Sequence, residues 1–350
     1  MVDNSIEVKN LYKIFGPQGE KYIDAVRQGM SKEELNAQHN HVLGLRDINI
    51  HMPSGQIQVI MGLSGSGKST MIRHINRLIE PTAGQVLYQG EDVCKMSRAD
   101  LQEFRRHKTA MVFQKFALLP HRTVLDNTLF GIELQGIKHA ECQDRARYWL
   151  KRVGLEGFED NYPNQLSGGM QQRVGLARAL TNDAGILLMD EAFSALDPLI
   201  RMDMQSILLQ LQEELHKTIV FITHDLDEAL RLGDQIAILR DGAVIQQGTG
   251  QDIVLNPADD YIAAFVKEVN RGRVIRVDTV MTPVTGEARV TVPSGSNLEE
   301  AAKHLSHQGQ LLAHVVDGAG AVLGQITMQA TIDAMVTPSV SEPQTPEASA

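Results

Sequence analysis

The chain has 350 residues, of which 43% are hydrophobic and 22% charged. This composition provides enough apolar side chains for packed cores, and the length favours two domains. The formal net charge of −10 argues against nucleic acid as a bulk electrostatic partner. The two cysteines, Cys94 and Cys142, match no metal or redox spacing, which favours a reducing compartment. We find no secretory signal and no apolar run of membrane-spanning length, so we expect any membrane role to depend on a partner.

The N-terminal region contains an unusual segment. Residues 6–15 alternate as in a strand, but residues 18–40 show a helical period. Its apolar positions are Tyr22, Ile23, Val26 and Met30. Ser31 followed by Glu34 is a capping box that predicts the start of a second short helix. An amphipathic surface insertion and a partner-binding element are both compatible with this pattern.

From residue 43 onward the pattern is typical of an α/β fold. Residues 57–61, 185–189 and 218–223 are short apolar runs, as expected for parallel strands buried on both faces. Asp241-Gly242 lies between two further apolar stretches and predicts a hairpin.

The helical pattern is strongest in the middle of the chain. Residues 126–180 are predicted to be mostly helical, with breaks at Gly131–Gly136 and around Tyr162–Gly169. Residues 250–270 predict a polar linker helix.

A second unit is predicted at about 273–335. Val290 and Val292 alternate, residues 298–305 have a helical period, and residues 313–316 form a strand before the turn Asp317-Gly318. The tail, residues 337–350, is rich in Pro, Ser, Thr and Glu and is predicted to be disordered.

The most specific motif is GLSGSGKS at 62–69, which fits the pattern G-x-x-x-x-G-K-[ST] between a strand and a helix. Its glycines allow the backbone to approach phosphates, and consecutive amides with the helix N-terminus supply positive potential. We expect Lys68 to reach the outer phosphates and the Ser69 hydroxyl to bind Mg²⁺.

Two adjacent carboxylates end another apolar strand. Asp190 and Glu191 follow Ile186–Met189, where charged groups are costly unless they face a cation or a polar crevice. We predict that Asp190 binds Mg²⁺ and that Glu191 polarises the attacking water as general base. A strand end exposed to solvent would give the same local pattern, but the phosphate loop favours the functional interpretation.

Three further motifs are weak when taken singly. The glycine-rich turn Leu166–Met170 opens a helical run, Gln114 follows the apolar strand 110–113, and His224 follows the strand 219–223. A histidine after a strand is commonly only a hydrogen-bonded surface residue.

Taken in order, these motifs resemble those of ATP-binding-cassette (ABC) ATPases over roughly residues 5–265. The resemblance implies an α/β P-loop NTPase cassette with a mixed sheet core at residues 1–268. It also implies a helical subdomain at about 115–180 and marks residues 18–42 as a family-specific insertion.

The resemblance implies a head-to-tail ATP-driven homodimer. The ATP-binding residues would be Phe15, Gly62, Leu63, Ser64, Gly65, Ser66, Gly67, Lys68, Ser69 and Thr70. The residues that contact the nucleotide of the partner subunit would be Leu166, Ser167, Gly168, Gly169 and Met170. The loop at the dimer interface, the dimer loop, would be Ser194, Ala195, Leu196 and Asp197. Catalysis would involve Glu191, His224, Gln114 and Lys68, and Mg²⁺ would be held by Ser69, Gln114 and Asp190. Tyr12 is an alternative to Phe15 for stacking on adenine.

A finer resemblance concerns KYIDAVRQGMSKEE at 21–34, AMVFQKFALLPHRTVLDN at 110–127 and LLMDEAFSALDPLIRMDMQ at 187–205. These segments are similar to ATPase subunits of importers for glycine betaine, proline betaine and choline. That implies a peripheral protein on the cytoplasmic face of the bacterial inner membrane. Its partners would be integral-membrane permease subunits, docked near residues 114–122, and indirectly a solute-binding protein; no nucleic acid is expected.

The C-terminal unit resembles a single cystathionine-β-synthase-type (CBS) repeat, on VDTVMTP at 277–283, SGSNLEEAAKHL at 294–305 and HVVDGAGAVLGQITMQATIDAM at 314–335. Pairing across the dimer and a purely structural cap are both open. Residues 273–335 contain four Lys or Arg against six Asp or Glu, a balance that does not favour an electrostatic membrane sensor.

Three classes of function are compatible with the cassette motifs. An importer ATPase for quaternary amines is favoured, and an importer for another small solute is the alternative. A soluble ATPase of DNA repair or translation usually has long coiled-coil insertions or tandem cassettes, which are missing here. A non-catalytic regulator would be expected to lack the base at Glu191.

Overall fold

The computed structural model describes residues 3–114, 116–194 and 196–336. The tail predicted to be disordered lies outside the described residues. The chain divides into two compact units, the first ending at Thr249 and the second beginning at Gly250. Within the part of the chain that the structure describes, no helix is long and apolar enough to cross a membrane.

The first unit contains ten strands and nine α-helices among its described residues. The strands are β1 (Ile6–Phe15), β2 (Val42–Met52), β3 (Ile57–Met61), β4 (Ala83–Tyr88), β5 (Glu91–Asp92), β6 (Thr109–Phe113), β7 (Ile186–Asp190), β8 (Thr218–Thr223), β9 (Gln235–Arg240) and β10 (Ala243–Gly248). The helices are α1 (Ile23–Arg27), α2 (Lys32–His39), α3 (Lys68–Ile75), α4 (Arg98–Glu103), α5 (Val124–Leu134), α6 (His139–Arg152), α7 (Gly168–Thr181), α8 (Pro198–Leu215) and α9 (Leu226–Leu232). Short 3₁₀ turns cover Gly19–Tyr22, Val93–Lys95 and Pro163–Gln165, and Phe104–Lys108 is a π-helical turn.

A six-stranded sheet forms the centre of the first unit, in the order β10-β9-β3-β8-β7-β6. Its strands are parallel except that β10 is antiparallel to β9. Every residue of β3, β7 and β8 is buried. This agrees with their apolar sequences, which predict strands covered on both faces. Two of these strands have the predicted bounds, and β7 begins one residue later than expected.

A second sheet, antiparallel and four-stranded, has the order β2-β1-β4-β5. One apolar core joins side chains of both sheets with Met71, Ile72 and Ile75 of α3. The amphipathic spacing of α3 therefore buries its apolar stripe and fixes the position of the residues at its N-terminus.

Two local predictions for the first unit are confirmed. Glu34 N donates to Ser31 Oγ at 3.1 Å and Ser31 N donates to Glu34 Oε2 at 2.8 Å, which is the expected capping box at the start of α2. The turn Asp241-Gly242 joins β9 to β10 as a hairpin.

The predicted helix break at Gly131–Gly136 is partly wrong. Gly131 lies inside α5, and the break begins only at Gln135. A Cβ on Gly131 would lie 2.9 Å from Asn182 Oδ1 just after α7, so the glycine allows a close approach instead of ending the helix. The second break, before α7, lies where the sequence predicts it.

The second unit contains β11 (Thr291–Pro293), β12 (Leu312–Val316) and β13 (Val322–Thr327), in the order β11-β12-β13. Its helices are α10 (Gly250–Leu255), α11 (Asp260–Val266), α12 (Arg271–Val274), α13 (Val277–Val280), α14 (Leu298–His307) and α15 (Met328–Met335). Strand β11 is parallel to β12, which is antiparallel to β13.

The predicted linker helix at 250–270 is wrong in two respects. Pro257 interrupts the helical run, and Asp259 caps a separate helix by accepting a hydrogen bond from Ile262 N at 2.9 Å. Arg271 then donates to the carbonyl oxygens of Val254 and Ala334, which ties this region into the second unit. Contacts within the chain divide it after Thr249, so residues 250–270 group with the second unit.

Candidate functional site

The phosphate-loop sequence connects β3 to α3 with three glycines in the left-handed region. Gly62 has a φ of +151°, and a Cβ there would lie 2.2 Å from the carbonyl oxygen of Leu239. Gly67 has a φ of +102° and faces the carbonyl oxygen of Gly44, 2.8 Å from where its Cβ would be. The β9–β10 hairpin holds the phosphate loop in place through a backbone hydrogen bond, in which Gly242 N donates to Ser66 O at 3.1 Å. Side chains larger than hydrogen are therefore excluded at these two positions.

The third glycine, Gly65, differs from the other two. Its φ is +80°, and a Cβ there would meet no atom within 4 Å. It opens onto a cavity of about 430 Å³. The cavity is lined by Phe15, Lys32, Val42, Leu43, Gly44, Ser64, Gly65, Gly67, Lys68, Ser69, Thr70, Gln114 and Glu191. The backbone of the loop is thus held in place at Gly62 and Gly67, and at Gly65 a ligand can approach it.

Lys68 occupies the floor of this cavity. Its Nζ donates to the carbonyl oxygens of Gly62 at 2.8 Å and Leu63 at 3.0 Å, and only 4% of the residue is exposed. Glu191 Oε1 lies 3.7 Å from the same ammonium group. Burial lowers the pKa of Lys68, and the neighbouring Glu191 carboxylate opposes this shift. The backbone therefore holds a buried cation at the base of the loop.

Asp190 lies beside the loop although 121 residues separate it from Ser69. The Ser69 hydroxyl donates to Asp190 Oδ1 at 2.7 Å, and Arg73 Nη2 donates to Asp190 Oδ2 at 3.2 Å. Asp190 is buried at the end of β7, so these two donors offset the cost of burying its charge. A hydroxyl and a carboxylate oxygen, both hard ligands, thus meet at one point.

Glu191 is the point at which three predicted catalytic residues converge. Gln114 Nε2 donates to Glu191 Oε2 at 3.1 Å, and His224 Nδ1 lies 3.8 Å from Oε1. The glutamate has a φ of +46°, a left-handed conformation that is uncommon for this residue type. That turn after β7 directs its carboxylate to the cavity, whose lining it joins.

The aromatic candidates have separate environments. Phe15 lines the cavity and is 40% exposed, whereas Tyr12 is buried in an apolar cluster with Ile23, Val26 and Leu35 of the insertion. Of the two rings, Phe15 is therefore the exposed one that lies beside the phosphate loop.

The remaining predicted residues of the phosphate loop occupy various positions around it. Ser64 and Thr70 line the cavity. Leu63 is half exposed, and Ser66 is buried, with its N–H donating to the carbonyl oxygen of Leu63. The structure brings these residues together as the sequence predicts for a contiguous loop.

The glycine-rich turn Leu166–Met170 does not line the cavity of its own chain. Ser167 caps α7 by accepting a hydrogen bond from Met170 N at 3.3 Å. Gly168 is exposed at the helix start, Gly169 is half-buried and Leu166 is buried. These residues are thus placed by the N-cap of a long helix, away from the lining of the described cavity.

The predicted dimer loop follows Glu191 directly. Ser194 Oγ donates to the carbonyl oxygen of Glu191 at 2.9 Å, and Leu196 N donates to that of Phe193. Asp197 caps α8 by accepting from Ile200 N at 3.1 Å. Ala195 lies outside the described residues.

Sequence reasoning did not find Arg73, Lys32 or the segment Val42–Gly44. Arg73 lies one helical turn after Ser69, so the period of α3 places the two side chains on one face. Lys32 and Val42 belong to the insertion and to the strand that follows it, and no motif marks them. Only the folded chain places them at the cavity.

A strand, a phosphate loop and a helix that face two carboxylates define a nucleotide-binding P-loop protein. The sequence model described as "ABC transporter" matches residues 45–194. The dimeric structure of MJ0796, a bacterial ABC transporter cassette, superimposes with a TM-score of 0.60 at 34% identity and covers 70% of this chain and 98% of that one. The predicted α/β ABC-cassette fold is confirmed.

Two curated relatives are similar over most of the chain. The glycine betaine transport ATP-binding protein OpuAA of Bacillus subtilis (strain 168) is 54% identical over 276 residues, which are 79% of this chain and 66% of the relative. The glycine betaine/proline betaine transport system ATP-binding protein ProV of Escherichia coli (strain K12) is 50% identical over 324 residues, 92% of this chain and 80% of the relative. The chain belongs to the family of ABC transporter ATP-binding proteins. The predicted resemblance to subunits of quaternary-amine transporters is confirmed.

Proposed function

We propose that this chain hydrolyses ATP and that the hydrolysis powers import of a quaternary amine through separate permease subunits. The candidate solutes are glycine betaine, choline and carnitine. The observation that carries the proposal is the convergence of Lys68, Ser69–Asp190 and Gln114–Glu191 around one cavity, in a chain whose relatives are betaine transport ATP-binding proteins.

The loop binds the phosphates of ATP. Lys68 approaches the outer phosphates from within the loop, and Gly65, with open space around it, lets the ligand approach the backbone closely. Phe15 supplies an exposed ring for the adenine at the other end of the same cavity.

Mg²⁺ fits the donor set beside the loop. Ser69, Asp190 and Gln114 offer hydroxyl, carboxylate and amide oxygens, the ligands that this hard cation prefers. The described residues contain no cluster of three or more His, Cys, Asp or Glu, so phosphates and water would complete the coordination. When bound, Mg²⁺ neutralises charge that develops on the phosphates.

Glu191 acts as general base for the attacking water. Its Oε2 is held by Gln114, and its Oε1 faces Lys68 and His224. Gln114 orients the carboxylate and the water, and His224 contacts the γ-phosphate. Most of the catalysis in phosphoryl transfer comes from such positioning and electrostatic stabilisation.

Two copies form the working unit. Ser167 and Gly168 are exposed, and Gly169 is half-buried beside them. These residues lie at a helix N-terminus suited to phosphate and do not line the cavity of their own chain. In a head-to-tail dimer they reach the nucleotide of the partner subunit, and Asp197 bridges the two sites. The similarity to a dimeric cassette supports this arrangement.

Dimers that combine two different variants test this head-to-tail arrangement. Lys68→Ala and Ser167→Arg should each be inactive alone, because each damages both sites of its homodimer. A mixture should recover roughly a quarter of wild-type ATPase activity, because half of random dimers are mixed and each has one intact site. No recovery, with mixed dimers shown by two affinity tags, would contradict the arrangement in trans.

The chain acts as a peripheral subunit on the cytoplasmic face of the bacterial inner membrane. Permease subunits dock near residues 114–122, and a solute-binding protein delivers the solute outside. The transport test is deletion of the gene and measurement of labelled glycine betaine, choline and carnitine uptake. Loss of uptake should be restored by the wild-type gene but not by a Glu191→Gln gene. Normal uptake of all three solutes would refute quaternary-amine import and favour another small solute.

The second unit is a single CBS-like repeat that pairs with its copy in the partner subunit. Its β11-β12-β13 sheet and the helices α14 and α15 support this assignment, and Leu311, Val322 and Leu323 leave apolar surface exposed. Cross-linking of single cysteines introduced at Leu323 tests the pairing. Failure to cross-link in the ATP-bound and free dimers would favour a structural cap.

A further inference from the structure

The insertion at 18–42 leaves and rejoins the fold at the edge of the nucleotide cavity. Phe15, the last residue of β1, pairs with Val42, the first residue of β2, and both line the cavity. Lys32, at the start of α2, is a third lining residue. The insertion therefore contributes a side chain to the cavity itself.

The insertion has its own packing, which holds Lys32 in a defined place. Leu35 of α2 and Val26 of α1 are fully buried against Ile14 and Leu43 of the flanking strands. The capping box between Ser31 and Glu34 fixes the first turn, in which Lys32 lies.

Residues at the two ends of the insertion also contact each other. The ring of His41 is buried, its Nε2 lies 2.8 Å from the carbonyl oxygen of Pro17, and it packs against Tyr22 at a centroid distance of 4.6 Å. A Cβ on Gly16 would overlap this ring at 2.4 Å. The segment is thus a folded element, and Lys32 is not carried on a loose loop.

Stability of α2 does not explain a lysine at this position. The helix macrodipole disfavours a cation in the first turn, and Glu33 and Glu34 are the residues there that suit it. Lys32 forms an ion pair with Asp241 Oδ1 at 3.9 Å, the long end of the range, and that carboxylate is 76% exposed. Such a pair contributes little and leaves the ammonium group able to bind a second anion.

We propose that Lys32 is a nucleotide-binding residue, which contacts the phosphate chain of ATP from the wall of the cavity. The inference rests on the proposed ATP site. A cation on the wall of a cavity that also holds Lys68 fits a polyanionic ligand. The contact raises the affinity for ATP and takes no part in hydrolysis.

The test compares single-site variants of the full chain. The dissociation constant of ATP is measured by calorimetry in a Glu191→Gln background, and KM and kcat are measured without that change. We expect Lys32→Met to raise the dissociation constant and KM about threefold to tenfold, as for one partly exposed charged contact, with kcat within about twofold. High salt should reduce the difference, and Lys32→Arg should retain most of the affinity.

Lys21→Met is the matched control, because Lys21 is an exposed lysine of the same insertion that does not line the cavity. Thermal unfolding of each variant checks that α2 is intact. An unchanged affinity in Lys32→Met, or an equal loss in Lys21→Met, would overturn the inference. Failure of the proposed ATP site would look different, since the wild type itself would then bind no ATP and Lys68→Ala would have no effect.

Discussion

Gln114 and Glu191 are joined by a hydrogen bond of 3.1 Å, although 77 residues separate them in sequence. The bond is possible because β6 and β7 are neighbouring parallel strands, with Phe113 opposite Asp190. Each polar residue therefore leaves its strand at the same edge of the sheet. The bond assigns the two carboxylate oxygens of Glu191 to different partners, with Oε2 facing Gln114 and Oε1 facing Lys68.

Replacement of Glu191 should separate binding from turnover. Glu191→Gln keeps the size and the Gln114 contact but removes the proposed base, so kcat should fall about 10²- to 10⁴-fold while ATP affinity is retained. Size-exclusion chromatography with ATP should show a stable dimer. Turnover near the wild-type level would show that Glu191 is not the base.

Replacement of Lys68 should weaken binding itself. Lys68→Ala removes a buried cation and leaves the carbonyl oxygens of Gly62 and Leu63 without that donor. We expect the dissociation constant of ATP to rise by about 10- to 100-fold, as for loss of a charged hydrogen bond, measured by calorimetry. Lys95→Ala, at a side chain that is 75% exposed, serves as control and should bind normally.

Gly62→Ala should destabilise the first unit. The new methyl carbon would lie 2.2 Å from the carbonyl oxygen of Leu239, so the backbone must move, and we expect a loss of about 3 kcal/mol or more in the free energy of unfolding. Gly90→Ala shares a positive φ but has open space around it, so the loss there should be only about 1 kcal/mol. Urea denaturation measures both; equal losses would mean that the contact with Leu239 is not limiting.

His74 should make stability depend on pH. Burial lowers the pKa of His74 to about 4, so the unfolded chain, whose histidine titrates near 6.5, binds the proton more readily. The free energy of unfolding should therefore fall as pH drops below about 6.5, by about 2 kcal/mol at pH 5.

Urea denaturation across this pH range measures the effect. His74→Gln should flatten the dependence, whereas His121→Gln, at an exposed position, should not. A wild-type slope retained in His74→Gln would show that other groups are responsible.

The sequence by itself determined the local features of this protein. The bounds of β3 and β8, the capping box of α2, the hairpin at Asp241-Gly242 and the loop around Lys68 all depend on residues close together in the chain. Turn chemistry, side-chain period and a contiguous glycine pattern act over a few residues, so they can be recognised without the fold.

Where local signals were ambiguous, the sequence was less informative. Gly131 looked like a helix breaker, but it allows a close approach to Asn182. The hydrogen bonds of Arg271 join Val254 to Ala334, 80 residues further along the chain. Such contacts involve partners far along the chain, which no local pattern contains.

Only the tertiary structure decided which distant residues meet. The strand order places β8 between β3 and β7, and this brings Asp190 to Ser69 and Arg73 and brings His224 to Glu191. It also selected Phe15 over Tyr12, because packing of the insertion buries the tyrosine and leaves the phenylalanine at the cavity. The placement of Lys32 has the same origin. Packing between residues distant in sequence determines which side chains meet, whereas a sequence pattern identifies only the individual motifs.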